Sequence, residues 1–254
     1  MSDVMGLEGK RVLITGGSRG VGRAAALLLG RMGAHVGIGY RSRAADAEEV
    51  VGELEDLGVK GWAEAGDLST PEGVRALFDR ADREFGGLDA FVGNHGIWPP
   101  EEVPLEEMSL EQWRRTLEVN LDSIFLCCRE AIPRLDAGGR IVLVTSTAAQ
   151  RGEAFHGDYA ASKGALVSLV KGLSTELGPR DITVNSVAPG WVDTEMSAPV
   201  LRDEVMDRIL SGIPLGRVAT AEDVAGPIAF LCSPLSRHIT GEIVNVNGGA
   251  VLPG

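Results

Sequence analysis

The chain is short of tyrosine, cysteine, histidine and positive charge: its 254 residues include 2 Tyr, 3 Cys and 4 His, and 24 Lys+Arg stand against 36 Asp+Glu, a formal net charge of -12. Each shortage excludes something. Cys127, Cys128 and Cys232 have no metal-type spacing and two are adjacent, which argues against a disulfide framework and for a reduced, cytoplasmic setting. His35, His95, His156 and His238 are scattered with no pair at i,i+4, so no metal site is expected. An acidic chain is a poor electrostatic match for nucleic acid or an anionic membrane. No window holds about 18 uninterrupted apolar residues, and Met1 to Gly9 lacks a cationic stretch followed by an apolar run; neither a membrane span nor a signal peptide is expected.

What is present is a globular composition, 44% hydrophobic and 24% charged, in a chain long enough to bury a substantial core. Short apolar runs at Arg11–Thr15, His35–Tyr40, Gly61–Ala65, Ala90–Val92, Arg140–Thr145, Ile182–Ala188 and Glu242–Val246 read as strands. Between them, Val21–Arg31, Ala44–Leu57, Pro71–Phe85, Leu110–Leu135, Tyr159–Leu177 and Ala221–Leu231 have helical character. This alternation predicts one α/β domain over residues 1–254, a doubly wound parallel sheet of about seven strands with helices on both faces, the Rossmann fold. Ile97–Glu107 and Val192–Gly216 fall outside the alternation and follow strands, where open α/β sheets bind ligands; they are expected to form a substrate rim and, at 192–216, a lid.

Directly after the first strand comes Thr15-Gly16-Gly17-Ser18-Arg19-Gly20-Val21-Gly22, opening a helix. Glycines allow the sharp turn and close approach of a pyrophosphate, and a helix N-terminus offers free N–H groups; the alternative is a tight turn with no ligand. The spacing of Gly16, Gly20 and Gly22 is G-x-x-x-G-x-G rather than the better-known G-x-G-x-x-G. Strand two ends Gly39-Tyr40-Arg41-Ser42-Arg43, with no acid before Asp46. A carboxylate there would suit NAD, whereas Arg41, with Arg19 and Arg43, suits the 2′-phosphate of NADP(H) unless the arginines are only a solvated face. Asp67-Leu68 after strand three suits contact with an adenine edge, or Asp67 is a helix-start signal.

Tyr159 and Lys163 stand four apart on one helical face, where an ammonium can stabilise a phenolate. Lys163 is one of only 4 lysines beside 20 arginines. Ser146 follows the strand Arg140–Thr145 and can hydrogen-bond a reacting carbonyl oxygen; no nucleophile elbow accompanies it. These residues read as acid/base (Tyr159), electrostatic tuner (Lys163) and orienter (Ser146). His156 reads as a pocket-lining or surface residue. Trp98, Phe155, Trp191 and Met196 offer a fairly apolar pocket suited to a small ketone or secondary alcohol, or are plain core or interface residues.

Together these motifs resemble the short-chain dehydrogenase/reductase superfamily, and the resemblance spans nearly the whole chain: Thr15–Gly22, Asp67, Asn120 in Val119-Asn120-Leu121, Ser146, the Tyr159/Lys163 pair, Pro189-Gly190 with Thr194, and Thr240-Gly241 with Asn247-Gly248-Gly249. The resemblance implies hydride transfer between NADP(H) and a carbonyl or secondary alcohol, with Asn120 holding a water that links Lys163 to solvent. It also implies cofactor contacts from Ser18, Val21, Tyr40, Ser42, Asn94, Gly96, Tyr159, Lys163, Pro189, Gly190, Val192 and Thr194, with Lys163 holding the nicotinamide ribose. A protein that keeps the fold and binds NADP(H) without catalysis is the alternative. The chain is similar to 3-oxoacyl-carrier-protein reductases and related alcohol dehydrogenases, usually homotetramers. An acyl carrier protein is a possible partner, for which Arg129 and Arg134 are the candidate docking cations. One motif departs: Gly93-Asn94-His95-Gly96 stands where the superfamily commonly carries N-N-A-G, placing an imidazole near the cleft or simply a tolerated replacement.

Overall fold

The computed structural model describes residues 3–252. Among them, β1 (Arg11–Thr15), β2 (His35–Tyr40), β3 (Gly61–Ala65), β4 (Leu88–Gly93), β5 (Leu135–Val144), β6 (Thr183–Pro189) and β7 (Ile243–Val246) form one parallel sheet in the order β3-β2-β1-β4-β5-β6-β7. Nine helices accompany them among the described residues: α1 (Gly20–Arg31), α2 (Ala44–Asp56), α3 (Pro71–Phe85), α4 (Leu110–Leu117), α5 (Ser123–Ala131), α6 (Ala148–Arg151), α7 (Gly157–Leu177), α8 (Asp203–Ser211) and α9 (Ala221–Cys232).

Strand side chains alternate between two cores because the pleat has period two. Val12, Ile14, Val142 and Val144 face α1, α2 and α9, whereas Leu13, Phe91, Ile141 and Leu143 face α3, α5 and α7. Both faces of the sheet are covered, which is why its strands read as continuous apolar runs. Each such side chain, fully buried, contributes roughly 1.5–3 kcal/mol.

Local chemistry sets several boundaries. Thr70 accepts from Gly73 N at 3.1 Å to cap α3, with Pro71 at the first helical position. Asp67 is therefore not the cap. It closes its own turn by accepting from Ser69 N at 3.0 Å and Ser69 Oγ at 2.6 Å. Thr220 and Asp223 form a capping box on α9. By contrast α1 starts with no side-chain cap and no acid in its first turn, so its N–H groups remain open to an anion.

Two expected boundaries are corrected. The helix read as Leu110–Leu135 is broken by a π-turn at Glu118–Asp122 and ends in a 3-10 turn at Ile132–Arg134. Pro133 lacks the N–H that would continue α5. Asn120, inside the π-turn, is held from outside by the Ile97 backbone and Ser162, a pull that periodicity cannot reveal. β5 begins at Leu135 rather than Arg140, because Leu135 pairs with Leu88 before a register shift; its glycines made that stretch resemble a loop. Residues 97–107 are irregular, while 192–216 contains α8 and is pinned at its base by a bridge between Val192 and Ala219. Among the described residues no helix is long and apolar enough to cross a membrane.

Candidate active site

Chain connections leave β1 and β4 in opposite directions, and at the carboxyl ends there a cleft of about 510 Å3 opens. All the candidate cofactor and catalytic residues named above line it except Gly22 and Asn120. Gly22 lies behind the turn: a Cβ there would stand 2.1 Å from Gly16 O and 2.6 Å from Asn94 Nδ2. Asn94 holds the turn by donating from Nδ2 to Thr15 O at 3.0 Å and Gly16 O at 3.1 Å. The glycines therefore set how closely the backbone packs, and the open end of α1 stands beside them.

At the other end of the cleft Ser146 stands just beyond the carboxyl end of β5 and Tyr159 projects from the first turn of α7. Burial pushes the Tyr159 phenol up to about 12, with a hydrogen bond to Ser146 acting in the opposite sense, so the lowering expected from the Lys163 ammonium is outweighed. Lys163 is buried; its Nζ donates to Val144 O at 3.0 Å and lies 6.0 Å from the Tyr159 ring centroid. Burial lowers this ammonium to about 8. Asn120 lies beneath the surface, donating from Nδ2 to Ile97 O at 2.9 Å and Ser162 Oγ at 3.1 Å and accepting from Ile97 N at 2.7 Å. Its Oδ1 and Lys163 Nζ converge on one spot: a Cβ on Gly96 would be 3.1 Å from the first and 3.3 Å from the second.

A family model described as enoyl-(acyl carrier protein) reductase matches residues 16–251. A solved short-chain dehydrogenase from Burkholderia cenocepacia, in complex with NADP, is 40% identical with a TM-score of 0.91, covering 96% of this chain and 99% of that one. This chain belongs to the short-chain dehydrogenase/reductase superfamily. A chloroplastic NADPH-dependent aldehyde reductase-like protein of Arabidopsis thaliana is 37% identical over 257 residues, 96% of this chain and 95% of its own length. The 3-oxoacyl-(acyl-carrier-protein) reductase FabG of Staphylococcus aureus is 35% identical over 242 residues, 94% and 97% of the two chains.

In this short-chain dehydrogenase/reductase the strand-end arginines are engaged by acids. Arg41 pairs with Asp67 at 3.0 Å, and Arg19 and Arg43 share Glu195 at 2.6 and 3.1 Å. Hydrogen bonds from Ser69, with Arg41 adding its charge, hold Asp67 below the usual carboxylate range. Glu195 was not singled out from the sequence. Its partners lie 176 and 152 residues away, and no local pattern announces such a pairing. Trp98, Trp191 and Met196 line the cleft, but Phe155 does not: it turns outward, 49% exposed, at a residue with φ of 65°. Glu153 is a cleft residue that sequence reasoning missed; burial raises its carboxyl above the usual range.

The departing His95 is tied on both sides. Its Nε2 is 2.6 Å from Ser123 Oγ and its Nδ1 is 2.8 Å from Thr15 Oγ1. Ser123 Oγ spends its hydrogen on Val119 O at 2.6 Å, so His95 Nε2 must donate and Nδ1 must accept from Thr15. The imidazole braces the glycine turn against the π-turn that carries Asn120. Burial, reinforced by the Lys163 charge, lowers His95 to about 3. Below pH about 6.5 the unfolded ring takes a proton that the folded ring refuses, so stability falls as pH drops toward 3. Denaturant unfolding at pH 7 and pH 5 should show about 2 kcal/mol more loss in the wild type than in His95→Ala. An equal loss in the two proteins would contradict the neutral brace.

Proposed function

We propose that the chain is an NADP(H)-dependent oxidoreductase that interconverts a carbonyl compound and its secondary alcohol, in one domain with residues 192–216 as the substrate lid. The observation that carries this reading is the convergence of Ser146, Tyr159 and Lys163 on one end of the cleft, with Asn120 Oδ1 behind them. A non-catalytic binder of the same fold would have no need of all four.

The cofactor fits on the chain's own features. Gly16 and Gly20 leave the backbone bare beside the uncapped start of α1, which suits a pyrophosphate, with Ser18, Val21 and Thr194 around it, and Gly22 lets the helix pack close behind them. Arg41 and Ser42, with Arg19, are assigned to the 2′-phosphate. Their pairs with Asp67 and Glu195 are exposed, of a kind contributing at most about 1 kcal/mol, so a doubly charged phosphate can displace them. Tyr40, Asp67 and Leu68 suit the adenosine, and Asn94, Gly96, Pro189, Gly190 and Val192 the ribose and nicotinamide end. When bound, NADP(H) supplies or accepts the hydride at the carbonyl carbon.

The residues supply the proton and the geometry. Tyr159, protonated at neutral pH, donates its phenolic hydrogen to the carbonyl oxygen during reduction and takes it back in oxidation. Ser146 orients that oxygen by hydrogen bonding. Lys163 has two hydrogens left after its bond to Val144 and holds the tyrosine's return proton path open. Asn120 has one acceptor position left on Oδ1 after its bond from Ile97, directed to the same spot as Lys163 Nζ, and positions the water of that path.

Turnover of a panel of ketones, β-ketoesters and acyl thioesters is the test. NADPH is expected to exceed NADH at least about tenfold in kcat/KM, a difference of about 1.4 kcal/mol, and Arg41→Ala to narrow the ratio. Equal use of the two cofactors would overturn the phosphate assignment.

The similarity to FabG supports a 3-oxoacyl thioester among the candidate substrates. Docking of an acidic acyl carrier protein is less supported: Arg134 is committed to Asp82 and Glu130, both at 2.9 Å, and Arg129 lies over the Phe125 ring. A free small-molecule carbonyl is the better-supported substrate. A homotetramer is proposed by resemblance, and the half-exposed Phe125 of α5 and exposed Leu110 of α4 suit a face shared between copies.

A further inference from the structure

Next to the main cleft lies a second cavity of about 100 Å3, which shares Trp98, Glu153 and Trp191 with it and is closed from the lid side by Val205 and Ile209. Its polar wall is His156, only 5% exposed and three residues before Tyr159. The imidazole stacks on Trp98 with centroids 4.8 Å apart and planes 18° apart, and Trp98 meets Trp191 edge-on at 5.8 Å. Nδ1 of His156 is 3.2 Å from Ala154 O, an atom that can only accept. Nδ1 therefore carries a proton, and Nε2 of the singly protonated ring is an acceptor. Nε2 is buried and has no partner. Such an unmet acceptor costs free energy, and on a residue that lines a cavity it points to a donor as the missing partner.

Resting on the oxidoreductase reading above, we propose that this cavity is a specificity subsite for the far end of the carbonyl substrate, which is a ketone bearing a distal hydroxyl on an apolar stem, the hydroxyl donating to His156 Nε2. The stem is set by the walls: Trp98, Trp191, Val205 and Ile209 are apolar. The hydroxyl is set by the polar groups inside. Nε2 and the neighbouring Glu153 carboxyl, 3.9 Å from Nδ1, both accept, so a carboxylate tail would meet acceptors. The cation on the cavity wall, Arg208, is an exposed residue and suits an anion only at the mouth. An ammonium can donate, but its burial costs more than that of a neutral hydroxyl.

Matched ketones of increasing length, ending in methyl, hydroxymethyl, methoxymethyl, aminomethyl or carboxylate, test the proposal. With NADPH, wild type is expected to prefer the hydroxyl over the methyl terminus by about tenfold in kcat/KM at one chain length. The methoxy compound, which accepts but cannot donate, should lose that preference with the protein untouched. In His156→Phe, which keeps an aromatic ring against Trp98, the hydroxyl-to-methyl ratio should fall to about one. Tryptophan fluorescence titrations with the same compounds read the ratio without turnover. A ratio near one at every length in wild type, meaning that only water fills the cavity, overturns the subsite. So does a ratio that survives in His156→Phe, or a preference for the carboxylate or amine. Preferential binding of the hydroxyl compounds with no turnover of any ketone would overturn the oxidoreductase reading and leave the subsite standing.

Discussion

Tyr159→Phe is expected to lower kcat by about 10²–10⁴-fold while leaving the dissociation constant for NADPH within about twofold of wild type. The substitution removes one oxygen and keeps the ring, so packing at the start of α7 is retained and no cavity forms. What is lost is the hydroxyl beside Ser146, and no neighbouring group replaces it. Asn120 is bonded to Ile97 and Ser162, and Lys163, anchored to Val144, has its Nζ 6.0 Å from the Tyr159 ring centroid. His95 is held neutral between Thr15 and Ser123, so it offers no spare proton. His156 keeps its Nδ1 proton on the Ala154 carbonyl. Steady-state kinetics with the best ketone, beside NADPH fluorescence titration, separates chemistry from binding. Turnover near the wild-type rate would remove Tyr159 from the proposed role.

Gly22→Ala should abolish NADPH binding in the micromolar range and destabilise the protein by about 3 kcal/mol or more. A methyl group at this position meets backbone, Gly16 O at 2.1 Å, and the Asn94 amide at 2.6 Å. Neither can yield, because Asn94 is bonded to Thr15 and Gly16 and receives further support from Thr15 Oγ1, which accepts from Asn94 N at 3.0 Å. The helix would have to move away from the turn, taking its open N–H groups from the pyrophosphate position. Gly52→Ala is the matched control. Gly52 lies inside α2 with nothing within 4 Å of its would-be Cβ, so alanine there should stabilise by about 0.5–1 kcal/mol through helix propensity. Thermal unfolding with and without NADPH reads both. Retained cofactor stabilisation in Gly22→Ala would contradict the packing argument.

The two glycines show the limit of sequence reading. Both stand in helices, and the motif spacing singled out Gly22, yet not the reason: it does not touch the cleft but lets α1 pack against the turn that does. Asn120 was found in the same way, from a short motif, while the π-turn that presents it was hidden inside an apparently continuous helix. Ser146 and the Tyr159/Lys163 pair were legible because a strand end and an i,i+4 spacing are local features. Arg41 and Arg43 at the end of β2 were legible too, but Glu195, the acidic partner of Arg43 and Arg19, was not. Trp98, Trp191 and Met196 were foreseen as pocket walls and Phe155 was misplaced among them, since hydrophobicity alone cannot tell which way a loop turns a ring.

By itself the sequence determined the sheet-and-helix alternation, the glycine turn after β1, the superfamily and the residues proposed for catalysis. The alternation, the glycine turn and the Tyr159/Lys163 pair depend on periodicities and spacings within a few residues, where backbone geometry fixes which side chains share a face; the superfamily and Asn120 rest on the resemblance of motifs spread from Thr15 to Gly249. Only the tertiary structure decided the direction of the His95 hydrogen bonds, the pairing of Glu195 with Arg19 and Arg43, and the unmet acceptor of His156 beside Trp98. Each joins groups from separate strands, turns and the 192–216 segment, or depends on what surrounds a buried atom. Burial and hydrogen-bond satisfaction are properties of the packed chain, and no stretch of sequence carries them alone.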